Sequence, residues 1–459
     1  MRVKDSFLNT YKELFRLGLP VLFAQLGTIV VSLADTMMVG AYGTDELASA
    51  AFVNNLILVP MVMQMGFAAG VTPLVGALYG AGRKLEVGQM LRVGLQLNIG
   101  LGLLLFAVMG VLYFFLPQMG QDPELLPLIR PYYLIVLTSM LIGGVFFPCM
   151  QLCNGVTDTA TPMWTIITAN ALNIAGNYLL IFGRFGAPEL GLAGAGISTL
   201  TARFMSVIII LTIILTAKRY RPYREGLLGK VSLKLERRHM FNTSWPVMVQ
   251  SGIECFLWAF GAVVCGWFGK QQLAAYQVVL SIGQLGFLTY MSFCTAVSIK
   301  VANCMGSRDF QLMRRNTVAG LHLTLVLATM ASGVFLLAGE SLIEMFTSDE
   351  AVIGIGVTLL LPLIIYQFAD AVQMLYANAL RGTGHVLPLV GISIVSYVIA
   401  GTGSLLLMAK VLDMQAVGVY SSFSAALFVA AFLMRQAYGK AVKLEESAQK
   451  MVNNSPGHK

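Results

Sequence analysis

Charge is what this chain most lacks. Only 11% of its 459 residues are Asp, Glu, Lys or Arg, while 57% are hydrophobic. An ordinary soluble domain carries about 25% charged and 45–50% apolar residues. So little charge cannot cover a soluble globule, which excludes a cytosolic enzyme, a disordered scaffold and a nucleic-acid binder. Histidine is scarcer still. His239, His322, His385 and His458 are scattered, so the metal-binding cluster of a membrane-embedded enzyme is not expected, and the chain reads as no enzyme, with no cofactor. The six cysteines, Cys149, Cys153, Cys255, Cys265, Cys294 and Cys304, lie in or beside apolar runs. They read as small packing residues rather than a disulfide or zinc framework. There is no Walker-type phosphate loop and no loop long enough for a folded domain, which argues against an ATP-driven pump built from this chain alone. Met1 to Arg16 are charged and amphipathic, so no cleavable signal is expected.

What is present is apolar length. The mean hydropathy is +0.76, and about 20 apolar residues suffice to cross a bilayer. Twelve such runs are legible, near 15–40, 47–79, 90–116, 128–152, 162–183, 190–216, 245–269, 273–302, 316–338, 353–380, 386–409 and 414–438. With the N-terminus placed in the cytoplasm, inner segments hold 25 of the 30 Lys and Arg and outer segments hold 4, Arg203 lying inside the sixth run. That bias is a positive-inside signal, with both termini cytoplasmic. The net charge of +8 therefore reports on the inner leaflet of a membrane, not on a nucleic acid.

The sequence also repeats itself. The shift that lays Pro20 on Pro246 also lays Gly40 on Gly266, Leu47 on Leu273, Phe67 on Phe293, Thr157 on Thr383 and Pro162 on Pro388, with no gap. The expected fold is an all-α membrane protein of twelve transmembrane helices, in two six-helix bundles related by a pseudo-two-fold repeat. The expected division is a first lobe at 1–217, a basic cytoplasmic linker at 218–238, a second lobe at 239–440 and a cytoplasmic tail at 441–459. A cavity between or within repeated bundles is the architecture of secondary transporters.

Three carboxylates fall inside the runs: Asp35, Glu254 and Asp370. A bare charge at the bilayer centre costs at least ~2.5–3.5 kcal/mol, so such residues face a cavity, a partner or an ion. They do not obey the repeat, because their equivalents are Gly261, Thr28 and Gly144. The halves share a scaffold but not their chemistry. Asn173 and Asn177 share one helix face, as do Tyr366 and Asp370. Gln284 lies in the eighth run, and Arg203 is either a counter-charge to a first-lobe carboxylate or a snorkelling residue. Glu254, Asp370 and the Tyr366 hydroxyl offer hard oxygen ligands, which favours sodium slightly over the proton as a coupling ion.

The run Leu33-Ala-Asp35-Thr-Met-Met-Val-Gly40 after Pro20, the segment Gly191–Thr199, and Tyr366-Gln-Phe-Ala-Asp370-Ala-Val-Gln373 continuing to Gly384 together resemble the multidrug and toxic compound extrusion (MATE) transporters, NorM-type branch. The resemblance covers the whole chain. It implies two six-helix lobes and a drug antiporter that exports lipophilic organic cations in exchange for sodium ions or protons. Carried over by position, Glu254, Asp370 and Tyr366 would form a second-lobe cation site with Gln284 nearby. Glu254 and Asp370 would be the sodium ligands. Asp35, Asn173, Asn177 and Thr199 would form a first-lobe polar network. Asn177 stands where some relatives carry a second acid, which leaves the coupling ion open. The implied setting is a functional monomer in the lipid of a bacterial inner membrane, with organic cation drugs and toxins as partners and no nucleic acid. The alternative is a lipid-linked oligosaccharide flippase of the related fold.

Overall fold

The computed structural model describes residues 2–229 and 233–454. Residues 230–232 of the expected linker and 455–459 of the expected tail lie outside the described residues. Among the described residues there is no strand. Twelve helices are long and apolar enough to cross a membrane: α1 (Phe7–Tyr42), α2 (Thr44–Gly80), α3 (Lys84–Gln118), α4 (Pro123–Gly155), α5 (Ala160–Phe182), α6 (Gly191–Thr216), α7 (Lys234–Trp267), α8 (Lys270–Ser307), α9 (Phe310–Glu344), α10 (Glu350–Gly382), α11 (Leu387–Val411) and α12 (Gln415–Met451). In an apolar medium a helix is the simplest spanning element, since it satisfies its backbone polar groups internally. Asp309 and Asp349 cap the starts of α9 and α10, accepting from the backbone N–H groups of Leu312 and Ala351.

The helices gather into two compact units, cut at unexpected places. The residues up to Leu22 join those from Val249 onward, and Phe23–Met248 form the other unit. Both cuts fall inside helices, α1 and α7, rather than in the basic segment. Leu22 and Met248 are equivalent under the same shift that lays Pro20 on Pro246, so the cuts obey the repeat. Each copy's first helix therefore begins in the unit built mostly from the other copy. A proline precedes each cut by two positions, Pro20 in α1 and Pro246 in α7. Proline removes one helical hydrogen bond and loosens that turn, which lets the start of each helix leave its own bundle.

The crossed ends are packed alike. Leu14 and Met240, equivalent by the repeat, are both fully buried. The Phe15 ring meets Phe293 edge-on at 5.1 Å, and its equivalent Phe241 meets Phe67 at 6.1 Å. Small residues permit this approach. A Cβ on Gly18 would lie 2.7 Å from the Phe293 ring, and one on Gly70 would lie 2.7 Å from Ser244 Cα. Around the first crossing, Leu14 and Leu17 join Val297, Met313 and Leu375 in one apolar core. Around the second, Met240 joins Val71, Leu91, Leu152 and Ile210.

The described part of the basic segment is docked. Arg219 pairs with Asp158 at 3.0 Å, and the Tyr220 hydroxyl donates to the same carboxylate at 2.6 Å. A short helix, Arg221–Leu228, follows. Burial pushes the Tyr220 phenol well above the usual tyrosine range, so it stays a donor.

Candidate functional site

Two polar groups are wholly or partly buried, one in each unit. In the unit of Phe23–Met248, α1 brings in Asp35, α5 brings Asn173 and Asn177, and α6 brings Thr199 and Arg203. Helical spacing explains the last two pairs, each one turn apart on one face. Asn177 donates to Asp35 Oδ1, and its contact with Asn173 Oδ1 spans 3.5 Å. Asn173 in turn donates to Thr199 Oγ1 at 3.1 Å. The four residues expected of a first-lobe network thus meet in a single chain of hydrogen bonds. Arg203 belongs to the same group. It donates to Ser139 Oγ at 2.6 Å, reaches Met61 Sδ at 3.7 Å, and lies in electrostatic range of both Asp35 and Tyr132.

In the other unit the group centres on Asp370, which is 1% exposed. Its Oδ2 accepts from Tyr290 of α8 and, at 3.1 Å, from Tyr366 one turn earlier on α10. Glu254 of α7 lies in electrostatic range of Asp370 and of Arg381. Arg381 donates to Gln250 Oε1 at 3.0 Å. Aromatic rings close around this group. Trp258 meets Tyr366 edge-on at 5.3 Å, Tyr420 meets Tyr366 at 6.1 Å, and Phe423 meets Trp258 at 4.5 Å. A buried carboxylate with two phenol donors and an aromatic wall can hold either a small cation by oxygen ligation or an organic cation by charge and ring faces.

Glu254, Asp370 and Tyr366 are therefore brought together. Gln284 is not placed with them: it is exposed on α8. From that same helix Tyr290 reaches the acid, and sequence reading missed it. A tyrosine in an apolar run gives no signal of its own, although the repeat sets it against Gln64, itself fully buried. Arg381 needs a correction. By sequence it counts among the basic residues of the inner segments, but α10 runs on to Gly382 and leaves it half-buried, within electrostatic range of Glu254. The two polar groups thus hold two half-buried bases, Arg203 and Arg381.

A family model described as MatE matches residues 20–179 and again 246–403, so its two matches start at Pro20 and at that residue's repeat equivalent, Pro246. The multidrug resistance protein NorM of Vibrio cholerae is 27% identical over 438 residues, covering 94% of this chain and 96% of that protein. A probable multidrug resistance protein NorM of Xylella fastidiosa is 26% identical over 380 residues, 83% of this chain and 81% of the relative. Among solved structures, the eukaryotic MATE transporter AtDTX14 superposes with a TM-score of 0.84 at 19% identity, covering 96% of this chain and 99% of that one. An outward-facing multidrug resistance MATE family transporter of the MOP superfamily gives 0.85 at 17% identity, covering 95% and 97%. The family model accounts for more than half of the sequence and finds the same two copies that the internal repeat defines, so the chain belongs to the MatE family.

Proposed function

We propose that this protein is a secondary multidrug efflux transporter that exports lipophilic organic cations in exchange for sodium ions or protons, by alternating access. Its setting would be a bacterial inner membrane, with both termini cytoplasmic and the monomer as the working unit. The NorM relatives, named as multidrug resistance proteins, support the efflux part of the reading. The observation that carries the chemistry is Asp370, buried between the Tyr290 and Tyr366 hydroxyls and in electrostatic range of Glu254.

Each acid must find compensation for its burial. An organic cation arriving from the cytoplasm would be held by the Glu254–Asp370 charge and by the faces of Trp258 and Tyr366. Sodium or protons arriving from outside would neutralise the same acids. Cargo affinity then falls, and one occupant excludes the other. Sodium is favoured over the proton by the oxygen set of Glu254, Asp370 and the Tyr366 hydroxyl. In the first unit, Asp35 with Asn173, Asn177 and Thr199 would serve as a second polar station.

The test is efflux of a fluorescent cation from everted vesicles under imposed sodium or proton gradients. Glu254→Gln and Asp370→Asn should each abolish gradient-driven efflux while the protein still inserts. Normal rates in both variants would refute the reading.

A further inference from the structure

The two half-buried arginines, Arg203 and Arg381, have no part in the proposed exchange, and neither obeys the repeat. Arg203 is equivalent to Val429 and Arg381 to Gly155. Each nevertheless sits within electrostatic range of a half-buried acid of its own unit, Arg203 with Asp35 and Arg381 with Glu254.

The second-half geometry is the more telling. Asp370 and Arg381 are both on α10, separated by close to three full turns, so both side chains leave the same helix face. Gln250 and Glu254 are one turn apart on α7 and likewise share a face. Arg381 Nη2 is anchored on Gln250 Oε1 at 3.0 Å. Its Nε is buried without a hydrogen-bond partner among the described residues, and so is Gln250 Nε2. A guanidinium keeps its proton even when buried. It therefore adds a fixed positive charge to a group whose two acids can gain or lose theirs.

We propose that Arg381 is a positioning residue that sets the charge of the second-half site, limiting it to one monovalent cation at a time. The inference rests on the reading that Glu254 and Asp370 take the coupling cation. With both acids ionised and Arg381 in electrostatic range of Glu254, the second-half group as a whole carries one net negative charge, which a single sodium ion, proton or organic cation neutralises. Without Arg381 the same acids would carry two negative charges and could hold cargo and coupling ion together. Exchange would then be lost through simultaneous occupancy rather than through weak binding. In the first half, Arg203 lies within electrostatic range of the single acid Asp35.

The test uses the full-length protein in lipid nanodiscs, with ethidium binding titrated against sodium at fixed ionic strength and pH. In the wild type, sodium should weaken ethidium binding competitively. Arg381→Gln should bind ethidium roughly tenfold more tightly, because one unit of negative charge is added nearby, and should lose most of the sodium dependence. Arg381→Lys keeps the charge and should compete like the wild type. The double variant Arg381→Gln/Glu254→Gln restores a single net negative charge and should regain competition, which a merely structural arginine would not allow. If protons rather than sodium compete in the wild type, the same comparison is made against pH. Wild-type affinity and competition in Arg381→Gln would overturn the proposal, as would an Arg381→Lys variant behaving like Arg381→Gln. Should Arg381→Gln fail to insert, the other two variants are compared with the wild type, and loss of competition in Arg381→Lys or in the double variant would overturn the proposal. Absence of any competition in the wild type would instead sink the underlying antiport reading, and this proposal with it.

Discussion

Gly70→Ala should destabilise the protein, and the contrast with Gly100→Ala should show why. Gly70 is the junction between two helical stretches of α2, and its backbone is right-handed at φ −65° and ψ −15°. Alanine is therefore no conformational problem there. The problem is space, since the new Cβ would stand 2.7 Å from Ser244 Cα and 3.0 Å from Ser244 Cβ. Real Cβ contacts do not come so close to backbone, so the start of α7 would have to move. Overpacking of this kind costs about 1–3 kcal/mol. Gly100, in the middle of α3, has nothing within 4 Å of its would-be Cβ. Both replacements gain the same helix propensity, up to ~1 kcal/mol for an alanine in place of a helical glycine. Their difference thus isolates the crossing contact at about 1–3 kcal/mol, or roughly 5- to 150-fold in the unfolding constant. Unfolding in mixed detergent–dodecyl sulfate micelles, followed by tryptophan fluorescence, would measure it. Ser244→Gly in the Gly70→Ala background should recover part of the loss. Two single variants equal within about 0.5 kcal/mol would refute the crossed packing of α7 on α2.

Tyr290→Phe removes a hydrogen bond to a buried carboxylate, an interaction worth about 1.5–3 kcal/mol, so gradient-driven efflux should fall roughly 10- to 150-fold at unchanged membrane abundance, measured in vesicles alongside an immunoblot. A cysteine placed at Gly229 should react with an impermeant maleimide only from the cytoplasmic side; labelling from outside intact cells would reverse the proposed orientation. The raised Tyr220 phenol holds its proton beyond the ordinary tyrosine value of about 10. Its contribution to linker docking is full below pH 10 and is lost only as pH climbs through the raised value. The ultraviolet tyrosinate titrations of wild type and Tyr220→Phe should therefore superimpose up to pH 10, and one extra wild-type tyrosinate by then would contradict the buried hydrogen bond to Asp158.

Spans and repeat were legible because both are written in one dimension. A long apolar run has few alternatives to a membrane helix, and prolines and glycines at a fixed offset survive in a background of interchangeable aliphatics. The acids were legible for the opposite reason: a carboxylate in such a run stands out by its cost. Tyr366 and Asn177 followed because helical spacing ties them to an acid or to a second asparagine. Tyr290 could not follow. It comes from a different helix, far earlier in the chain than Asp370, and its phenol is a common sight in apolar sequence. Arg381 was hidden by its neighbours, because Gly-Thr-Gly after it reads as a loop, whereas α10 ends only at Gly382. The crossing was hidden altogether. Phe15, Phe67, Phe241 and Phe293 are ordinary core residues by type, and nothing in a pattern says which copy a side chain packs on.

The repeat acts differently on scaffold and on chemistry. Where it is kept, as in Pro20 with Pro246 or Phe15 with Phe241, it governs how each first helix crosses between units. These are demands of packing, and both copies meet them with the same or similar side chains. Where it is broken, as in Asp35 with Gly261, Asp370 with Gly144 or Arg381 with Gly155, charge enters one copy only. A charge in both copies would carry its burial cost twice, and each would need its own partner. The acids of this chain do have such partners, Asn177 and Arg203 on one side, Tyr290, Tyr366 and Arg381 on the other, and each set is assembled from residues the other copy lacks. Symmetric packing thus gives two similar frames, and unequal charge makes the two polar groups inequivalent.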